Sequence, residues 1–205
     1  MSNKDEIESY IFGLKDVFSR LPIETIDQIV NLLMTAYDNE QQVFTMGNGG
    51  HGSTASHFIN DLVKHTIVSE KKDRVVVTGK RFKAMCLNDS MVVLTTWAND
   101  LSYEDCFSQQ LINWVKKGDL VFGFSASGNS KNILKAFDVA KRHQAISICF
   151  TGGDGGKAKD VADICLIVPT RNYLFLEDAH LSIVHILSNV VRLIIQRRNL
   201  ATPTV

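Results

Sequence analysis

Apolar residues recur at three- and four-residue steps in the first part of the chain. One such stretch covers 7–21 and a second covers 23–36, so the pattern predicts two amphipathic helices. The rest of the chain contains short apolar runs that end in small or polar residues, which is typical of buried strands. These runs are 43–46, 83–87, 92–95, 120–124, 146–150 and 164–168.

Helical patterns lie between most of these runs. They cover 53–65, 103–115, 131–143, 157–161 and 176–198. Alternating strands and helices predict an α/β fold with a parallel, doubly wound sheet. Because 205 residues suffice for one substantial core but are few for two, we predict a single domain over 1–200 with a frayed tail at 201–205.

Composition and charge argue against several kinds of partner. The 22 basic and 22 acidic residues cancel and form no separate basic block, so we expect neither nucleic acid nor an anionic membrane. The first residues are polar, and polar residues interrupt the apolar run 181–195, so we predict no signal peptide and no membrane span. Four cysteines without a CxxC pair favour a reducing compartment, and we expect a cytoplasmic location.

A serine-rich turn, 125–130, follows a predicted strand and precedes a predicted helix. At such a helix start, unpaired backbone N–H groups and the helix dipole attract an anion. Ser125, Ser127 and Ser130 would add hydroxyl donors, and Gly128 permits close approach. The turn therefore predicts a phosphate site. The alternative is that its serines only cap the helix, although three serines and a glycine in six residues exceed what one cap requires.

A glycine-rich loop, 47–52, follows the first predicted strand and matches G-x-G-x-x-G. A dinucleotide site would also need a second strand that ends in an acidic residue about twenty positions on. The nearest candidate, Glu70, lies in a charged stretch after only three apolar or β-branched residues. A nicotinamide or flavin site is therefore the weaker alternative, and we expect the loop to press its backbone against some other ligand.

Ionisable residues occur on two of the predicted helices. His57 and Asp61 are four apart and share one helix face, which suits a metal or an acid–base pair. The last helix carries Glu177, His180 and His185, and an idle charge at the apolar position of His185 would be costly. Each residue taken singly can be structural, so a site requires that both helices converge on one cleft.

Five short motifs follow one another along the chain. They are Gly47-Asn48-Gly49-Gly50 with His57 and Asp61, Asn99-Asp100, Ser125-x-Ser127-Gly128-Asn129-Ser130, Thr151-Gly152 with Asp154-Gly155-Gly156, and Glu177-Asp178-x-His180-Leu181 with His185. In this order they resemble the phosphoheptose isomerase family of sugar isomerase (SIS) domains, over nearly the whole chain. The resemblance implies a flavodoxin-like fold with a mostly parallel five-stranded sheet, preceded by two helices over 1–38 that pack in the oligomer.

The resemblance further implies that sedoheptulose 7-phosphate is isomerised to D-glycero-D-manno-heptose 7-phosphate, for lipopolysaccharide or capsule synthesis, in a homotetramer with active sites shared between subunits. Asp61 would be the catalytic base and His185 its partner, and an enediol mechanism needs such a pair. One zinc ion per site would be held by His57, Asp61, Glu177 and His185. The substrate would contact Asn48, Gly49, Gly50, His51, Asn99, Asp100, Ser125, Ala126, Ser127, Ser130 and Glu177.

Several positions depart from the family pattern. Asp61 stands where the family commonly has Glu, and Glu177 stands where it has Gln. His51 replaces a serine, Ala126 replaces a threonine, and leucine and phenylalanine at 174–175 occupy the stretch of an Asp-Arg pair. These positions lie near the expected sugar hydroxyls, so they bear on which sugar phosphate is preferred.

A non-catalytic alternative exists among proteins that resemble this family. One SIS branch binds a replication initiator and serves as a phosphosugar-binding or scaffold protein. That branch tends to lack the histidine of the closing helix, whereas this chain has His185. The sequence therefore favours the enzyme over the scaffold.

Overall fold

The computed structural model of this chain describes residues 2–69, 71, 73–77 and 79–201. Residues 202–205 of the predicted tail and Glu70 of the dinucleotide alternative lie outside the described residues. The elements are α1 (Asn3–Ser19), α2 (Ile23–Asp38), β1 (Gln42–Gly47), α3 (Gly50–Asn60), β2 (Lys83–Cys86), α4 (Met91–Asp100), α5 (Ser108–Ile112), β3 (Leu120–Phe124), α6 (Lys131–Arg142), β4 (Ile146–Gly152), α7 (Ala158–Val161), β5 (Ile164–Val168) and α8 (Tyr173–Ala201).

The five strands form one parallel sheet in the order β2-β1-β3-β4-β5. From β1 the chain moves outwards to β2 and then returns to the other side of β1 as β3. Val43 of β1, for example, pairs with Ala84 of β2 and with Leu120 of β3. The predicted doubly wound, flavodoxin-like fold is thus confirmed, and its reversal of strand order lies between β1 and β3. In such sheets ligands bind in the crevice at the carboxyl ends of the strands flanking the reversal.

The apolar run 92–95, predicted as a strand, is instead part of α4. Ser90 starts this helix, because its side chain accepts a hydrogen bond from the backbone N–H of Val93. None of the helix residues is buried, and Val92 is 75% exposed. The strand prediction was wrong because a short apolar run has the same appearance in a strand as on a solvent-facing helix.

The helix predicted over 103–115 is also interrupted. A 3₁₀ turn at Tyr103–Asp105 precedes the short helix α5, with no continuous helix through the region. Asn99 and Asp100, predicted as substrate contacts, form the end of α4. The segment between β2 and β3 is therefore helical, but its helices begin and end at other residues than the sequence pattern predicts.

Helices cover both faces of the sheet. On one face α2, α3 and α8 pack against inward-pointing strand residues, and on the other α5, α6 and α7 do the same. Phe122 of β3 lies near the centre of the first layer, with ring centroids 5.2 Å from Phe58 and 6.1 Å from Phe150. This packing fixes α3 and α8 relative to each other, and both helices carry the ionisable residues described above.

The last helix is unusually apolar. The segment Tyr173–Asn199 of α8 is long and apolar enough to cross a membrane by length and composition alone, and half of its most apolar window is buried inside the protein. Ala179, Ile183 and Leu187 recur at four-residue steps and are fully buried in the core. Packing against the sheet thus accounts for the apolar face of α8.

Replacing Ser90 by alanine is expected to lower the free energy of unfolding by about 1 kcal/mol, because α4 then loses its N-terminal side-chain cap. Urea titration followed by circular dichroism measures the change. Ser90→Asp is the matched control, since aspartate accepts the same hydrogen bond and should retain the wild-type midpoint. An alanine variant as stable as wild type would contradict this role of Ser90.

Candidate active site

The glycine loop after β1 and the start of α6 meet at the reversal of strand order. Asn48 and Asn132 exchange two side-chain hydrogen bonds, of 3.1 and 2.8 Å, and the Tyr103 hydroxyl donates to the same Asn48 oxygen at 2.8 Å. Asn132 is 3% exposed. The sequence indicates Asn48 but neither of its partners, because Asn132 has the position of an ordinary helix residue and Tyr103 lies 55 positions away.

The serine turn lies directly beside this contact. Ser125 is buried at the end of β3, and its hydroxyl is 2.9 Å from that of Ser130. Ser130 is the N-cap residue of α6, yet it makes no side-chain capping hydrogen bond. Two paired hydroxyls at a helix start, where the dipole attracts anions, favour phosphate binding over the capping alternative.

The turn is fixed by the loop that follows β4. Gly128 has φ +65°, and the backbone N–H of Ala158 donates to its carbonyl at 2.9 Å. The Asn129 side chain accepts from the N–H of Lys157 at 3.1 Å. A Cβ at Gly128 would lie 2.0 Å from the carbonyl oxygen of Gly155. The two predicted turns thus form one rigid unit that only glycine permits at this position.

A cavity of about 350 Å³ opens between the serine turn and the start of α8. Its wall includes Ala126, Ser127 and Asn129 on one side, and Arg171 and Tyr173 on the other. Arg171 donates to Asp154 at 3.0 Å, and both side chains are largely exposed. The cavity is large enough for a small polar molecule anchored at the serine turn.

The two helices with ionisable residues do converge. One ligand atom each of His57, Asp61 and His185 lies within 4.8 Å of the others. The His57 and His185 Nε2 atoms are 2.9 Å apart, and His57 Nε2 is 3.5 Å from Asp61 Oδ2. Asp61 opens a π-helical turn, Asp61–His65, that continues α3. Contrary to the expectation from its apolar neighbours, His185 is exposed on α8.

This group of donors fits zinc. Two imidazoles and a carboxylate are common zinc ligands, and ligands about 2.0–2.1 Å from a tetrahedral ion are roughly 3.3 Å from each other. The separations of 2.9 and 3.5 Å lie close to that value. Ser188, three residues after His185, donates to Asp61 Oδ2 at 3.2 Å and so orients the carboxylate. Ser188 was not predicted as a site residue, although its spacing from His185 places both on one helix face.

Glu177 does not belong to this group. Its Oε1 accepts a hydrogen bond from the Tyr173 hydroxyl at 2.6 Å and lies 3.4 Å from His51 Nδ1. Glu177 and His57 do line the same cavity of about 260 Å³. His51 is 3% exposed, and its Nε2 is 2.9 Å from Nδ1 of His180.

His180 ends this chain of contacts in the core. Burial lowers its pKa to about 3, and nearby His51 lowers it as well. A neutral ring donates through Nε2 to the Thr151 carbonyl, 3.4 Å away, and accepts at Nδ1 from His51. Burial also lowers the pKa of His51. Both rings are therefore structural supports of the site that remain neutral near pH 7.

The free energy of unfolding should decrease as the pH falls from about 6.5 towards 3. In this range His180 binds a proton in the unfolded chain but not in the folded protein. The contribution of neutral His180 to the free energy of unfolding is therefore complete above the pKa of the unfolded chain and is lost progressively below it. We expect His180→Asn to reduce the slope of the free energy of unfolding against pH by on the order of 1 kcal/mol per pH unit. Urea titrations across this range measure it. His143→Asn, at an exposed position, is the control, and equal slopes in both variants would contradict the assignment.

Two of the predicted substrate contacts lie elsewhere. Asn99 donates to Asp100 at 2.9 Å, and both are exposed in the last turn of α4. Neither lines the two cavities described above. Gly49 and Gly50, in contrast, start α3 beside Glu177. The glycine loop therefore lies next to the ionisable residues, and its contact with a ligand stays a prediction.

Comparison with known proteins places the chain in a family. Residues 9–152 match the SIS domain family. The phosphoheptose isomerase of Helicobacter pylori (strain ATCC 700392 / 26695) is 33% identical over 191 residues, which cover 93% of this chain and 91% of that protein. That of Clostridium acetobutylicum is 36% identical over 169 residues, covering 82% of each protein.

Solved structures agree with this assignment. A phosphoheptose isomerase from Francisella tularensis superposes with a TM-score of 0.82 at 27% identity, covering 94% of this chain and 99% of that one. The phosphoheptose isomerase GmhA from Neisseria gonorrhoeae has the same fold, with a TM-score of 0.82 at 22% identity over 93% of this chain and 98% of that one. The chain belongs to the SIS-domain family and, within it, to the phosphoheptose isomerases.

Proposed function

We propose that this protein is a sugar-phosphate isomerase that converts sedoheptulose 7-phosphate to D-glycero-D-manno-heptose 7-phosphate. The observation that carries the proposal is the approach of Asp61 and His185 from two different helices within one 4.8 Å group. An aldose–ketose isomerase needs a base for a carbon-bound proton and a proton donor for the carbonyl oxygen. The family of the chain supports the same reaction and gives the scaffold alternative no support.

The reaction moves one proton between adjacent carbons. The Asp61 carboxylate removes a proton from C1 of the ketose, and His185 supplies a proton to the oxygen on C2, which gives an enediol. The O1 hydroxyl then loses its proton to His185 as C2 receives one from Asp61, and the aldehyde forms at C1. Both residues return to their starting states. The Ser188 hydroxyl, 3.2 Å from Asp61 Oδ2, keeps the carboxylate in position.

The serine turn holds the far end of the substrate. A phosphate dianion there meets the positive end of α6 and the hydroxyls of Ser125, Ser127 and Ser130. Ala126 offers no hydroxyl, so its contribution is limited to the backbone. Anchoring the phosphate leaves the carbonyl end free to reach the acid–base pair, and orientation of this kind accelerates the chemical step.

Zinc is the metal best suited to the donors present. His57, Asp61 and His185 would hold it, and their spacing supports this assignment. When bound, such an ion polarises the carbonyl oxygen of the substrate. Asp61 would then combine two roles, metal ligand and catalytic base.

The exposed and buried side chains support a homotetrameric assembly and a cytoplasmic location. Ile7, Ile11 and Phe12 of α1 are 60–74% exposed, which favours burial of 1–38 against other copies in a homotetramer. His57 and His185 are exposed in the single chain, which supports an active site completed by a neighbouring subunit. The four cysteines are free thiols, which supports a cytoplasmic location. The product would serve heptose synthesis for surface polysaccharides.

A panel of sugar phosphates, assayed with and without added zinc, tests the proposal. Sedoheptulose 7-phosphate should yield an aldose, and in D₂O the product should carry deuterium at C2. Shorter ketose phosphates serve as matched controls, because they keep the phosphate and the reacting carbons but change the distance between them. Wild-type protein that holds metal yet leaves every sugar phosphate unchanged would overturn the proposed function.

A further inference from the structure

We infer that Tyr103 is a positioning residue that orients the Asn48 carboxamide for the substrate. In this arrangement the amide keeps one N–H for an acceptor oxygen of the sugar phosphate, and the Tyr103 hydroxyl acts through Asn48 without touching the substrate. The inference rests on the proposed function in taking a sugar phosphate as the ligand. The substrate contacts that the family resemblance implies include Asn48 but not Tyr103.

The orientation begins at Asn132, whose side chain is buried. The backbone N–H of Ile133 donates to its Oδ1 at 3.0 Å, and because an N–H can only donate, this atom is the oxygen of the amide. The same oxygen accepts from Asn48 Nδ2 at 3.1 Å. Asn132 Nδ2 donates to Asn48 Oδ1 at 2.8 Å and lies 3.7 Å from Cys106 Sγ, a weak acceptor. This buried amide therefore uses all its donors and acceptors and cannot turn over without losing them.

The orientation of Asn132 determines that of Asn48. Because Asn132 Nδ2 donates, the facing atom of Asn48 is an oxygen, and the Tyr103 hydroxyl, 2.8 Å from that oxygen, must donate as well. Both acceptor positions of Asn48 and one of its N–H groups are thus used. The other N–H has no partner in the part of the chain that the structure describes. Asn48 therefore offers a ligand one donor and no acceptor, which suits an oxygen of a sugar phosphate.

Ion pairs hold the turn that carries Tyr103 against α6. Lys131 Nζ lies 2.8 Å from Glu104, and Lys135 Nζ lies 3.1 Å from Asp105 and 3.5 Å from Glu104. Single exposed ion pairs contribute little, but these three share residues and form one network. The network keeps the Tyr103 hydroxyl beside the glycine loop although the residue is 50% exposed. The position of this hydroxyl is therefore set by α6, the same helix that carries Asn132.

Asn48 lies between the serine turn and the ionisable residues. Its partner Asn132 comes two residues after Ser130 in the first turn of α6. Gly50, two residues after Asn48, lies beside Glu177. A sugar phosphate anchored at the serine turn would therefore meet Asn48 between its phosphate and its reacting carbons. A hydrogen bond to a non-reacting oxygen is equally strong in the bound substrate and in the transition state, so its loss raises KM and leaves kcat unchanged.

Tyr103→Phe removes the hydroxyl and retains the ring. We expect KM for sedoheptulose 7-phosphate to rise roughly two- to tenfold, the value of one neutral hydrogen bond, with little change in kcat. Tyr37→Phe is the matched control, because it removes a hydroxyl that donates at 2.7 Å to the Lys80 carbonyl at the end of α2. The control should retain the wild-type KM. Melting temperatures of both variants complete the comparison, since a purely structural role would lower the melting temperature without raising KM.

A double-mutant cycle separates an action through Asn48 from a direct contact with the substrate. In Asn48→Ala the amide is absent, so adding Tyr103→Phe should not raise KM further. Asn48→Ser, which removes the same amide, serves for the cycle if Asn48→Ala does not fold. An undiminished effect of Tyr103→Phe in this background would mean that Tyr103 binds the substrate itself, and it would overturn the inference. A Tyr103→Phe enzyme with the wild-type KM would overturn it too.

Binding measurements distinguish a failure of this inference from a failure of the proposed function. If the wild-type protein isomerises no sugar phosphate, the proposed function fails, and the Kd of sedoheptulose 7-phosphate from calorimetry replaces KM in the same cycle. A Kd that is roughly two- to tenfold weaker in Tyr103→Phe, and unaffected by this change once Asn48 is replaced, supports the positioning role. Wild-type protein that neither converts nor binds the sugar phosphate overturns it.

Discussion

Asp61→Asn should lower kcat for the isomerisation by about 10²- to 10⁴-fold, the range that one general base contributes. The amide has the shape of the carboxylate and can still accept the hydrogen bond from Ser188. It cannot take a proton from carbon. Substrate affinity should change little, because the serine turn, on a different loop, anchors the phosphate. A discontinuous assay of aldose formation gives kcat, and equilibrium binding of the sugar phosphate gives the affinity.

The loss of a base must be distinguished from the loss of a metal ligand. Deuterium uptake into the substrate in D₂O measures proton abstraction directly, and it is followed in protein with a known metal content. Ser188→Ala removes the contacts of this hydroxyl with Asp61 and with the His185 carbonyl but leaves the carboxylate in place. It should cost roughly tenfold, the lower value of one hydrogen bond to a charged group and less than the loss of the base. Asp61→Asn protein that exchanges deuterium at the wild-type rate would exclude Asp61 as the base.

The central strands were predictable from the sequence because they lie in a uniformly apolar environment. Strands such as Leu120–Phe124 are buried on both faces and appear as continuous apolar runs. Alternation with helices then implies a parallel sheet and places the functional loops at its carboxyl edge. The run 92–95 is also continuously apolar but forms part of α4, in which no residue is buried, and only tertiary context distinguishes the two cases.

The sequence indicates individual residues of the candidate site, but it does not indicate which of them lie next to each other. The spacing of His57 and Asp61 indicates one helix face, whereas the approach of His185 depends on how α3 and α8 pack on the sheet. Glu177 was assigned to the metal group by resemblance, and the structure instead places it beside His51, 126 positions earlier in the chain. Contacts between distant segments such as these leave no local pattern in the sequence.

Gly128→Ala should both destabilise the protein and weaken sugar-phosphate binding. The residue has φ +65°, which costs an alanine roughly 1 kcal/mol or more. The new Cβ would also lie 2.0 Å from the Gly155 carbonyl oxygen, a backbone atom that cannot rotate away. The serine turn must therefore shift, and Ser125 and Ser127 shift with it. Thermal unfolding measures the first effect, and calorimetric titration with inorganic phosphate and with the sugar phosphate measures the second.

Alanine variants of two other glycines distinguish backbone strain from the clash with the Gly155 carbonyl. Gly79→Ala adds a Cβ in open space, and no positive φ applies there, so its melting temperature should equal that of wild type. Gly49 has φ +55° and nothing within 4 Å of an added Cβ, so Gly49→Ala measures backbone strain alone. Gly128→Ala should be the least stable of the three and should lose at least about tenfold in phosphate affinity, the value of one hydrogen bond to a charged group. If it melts and binds phosphate like Gly79→Ala, the serine turn is not the rigid phosphate cradle that its contacts with Gly155 and Ala158 indicate.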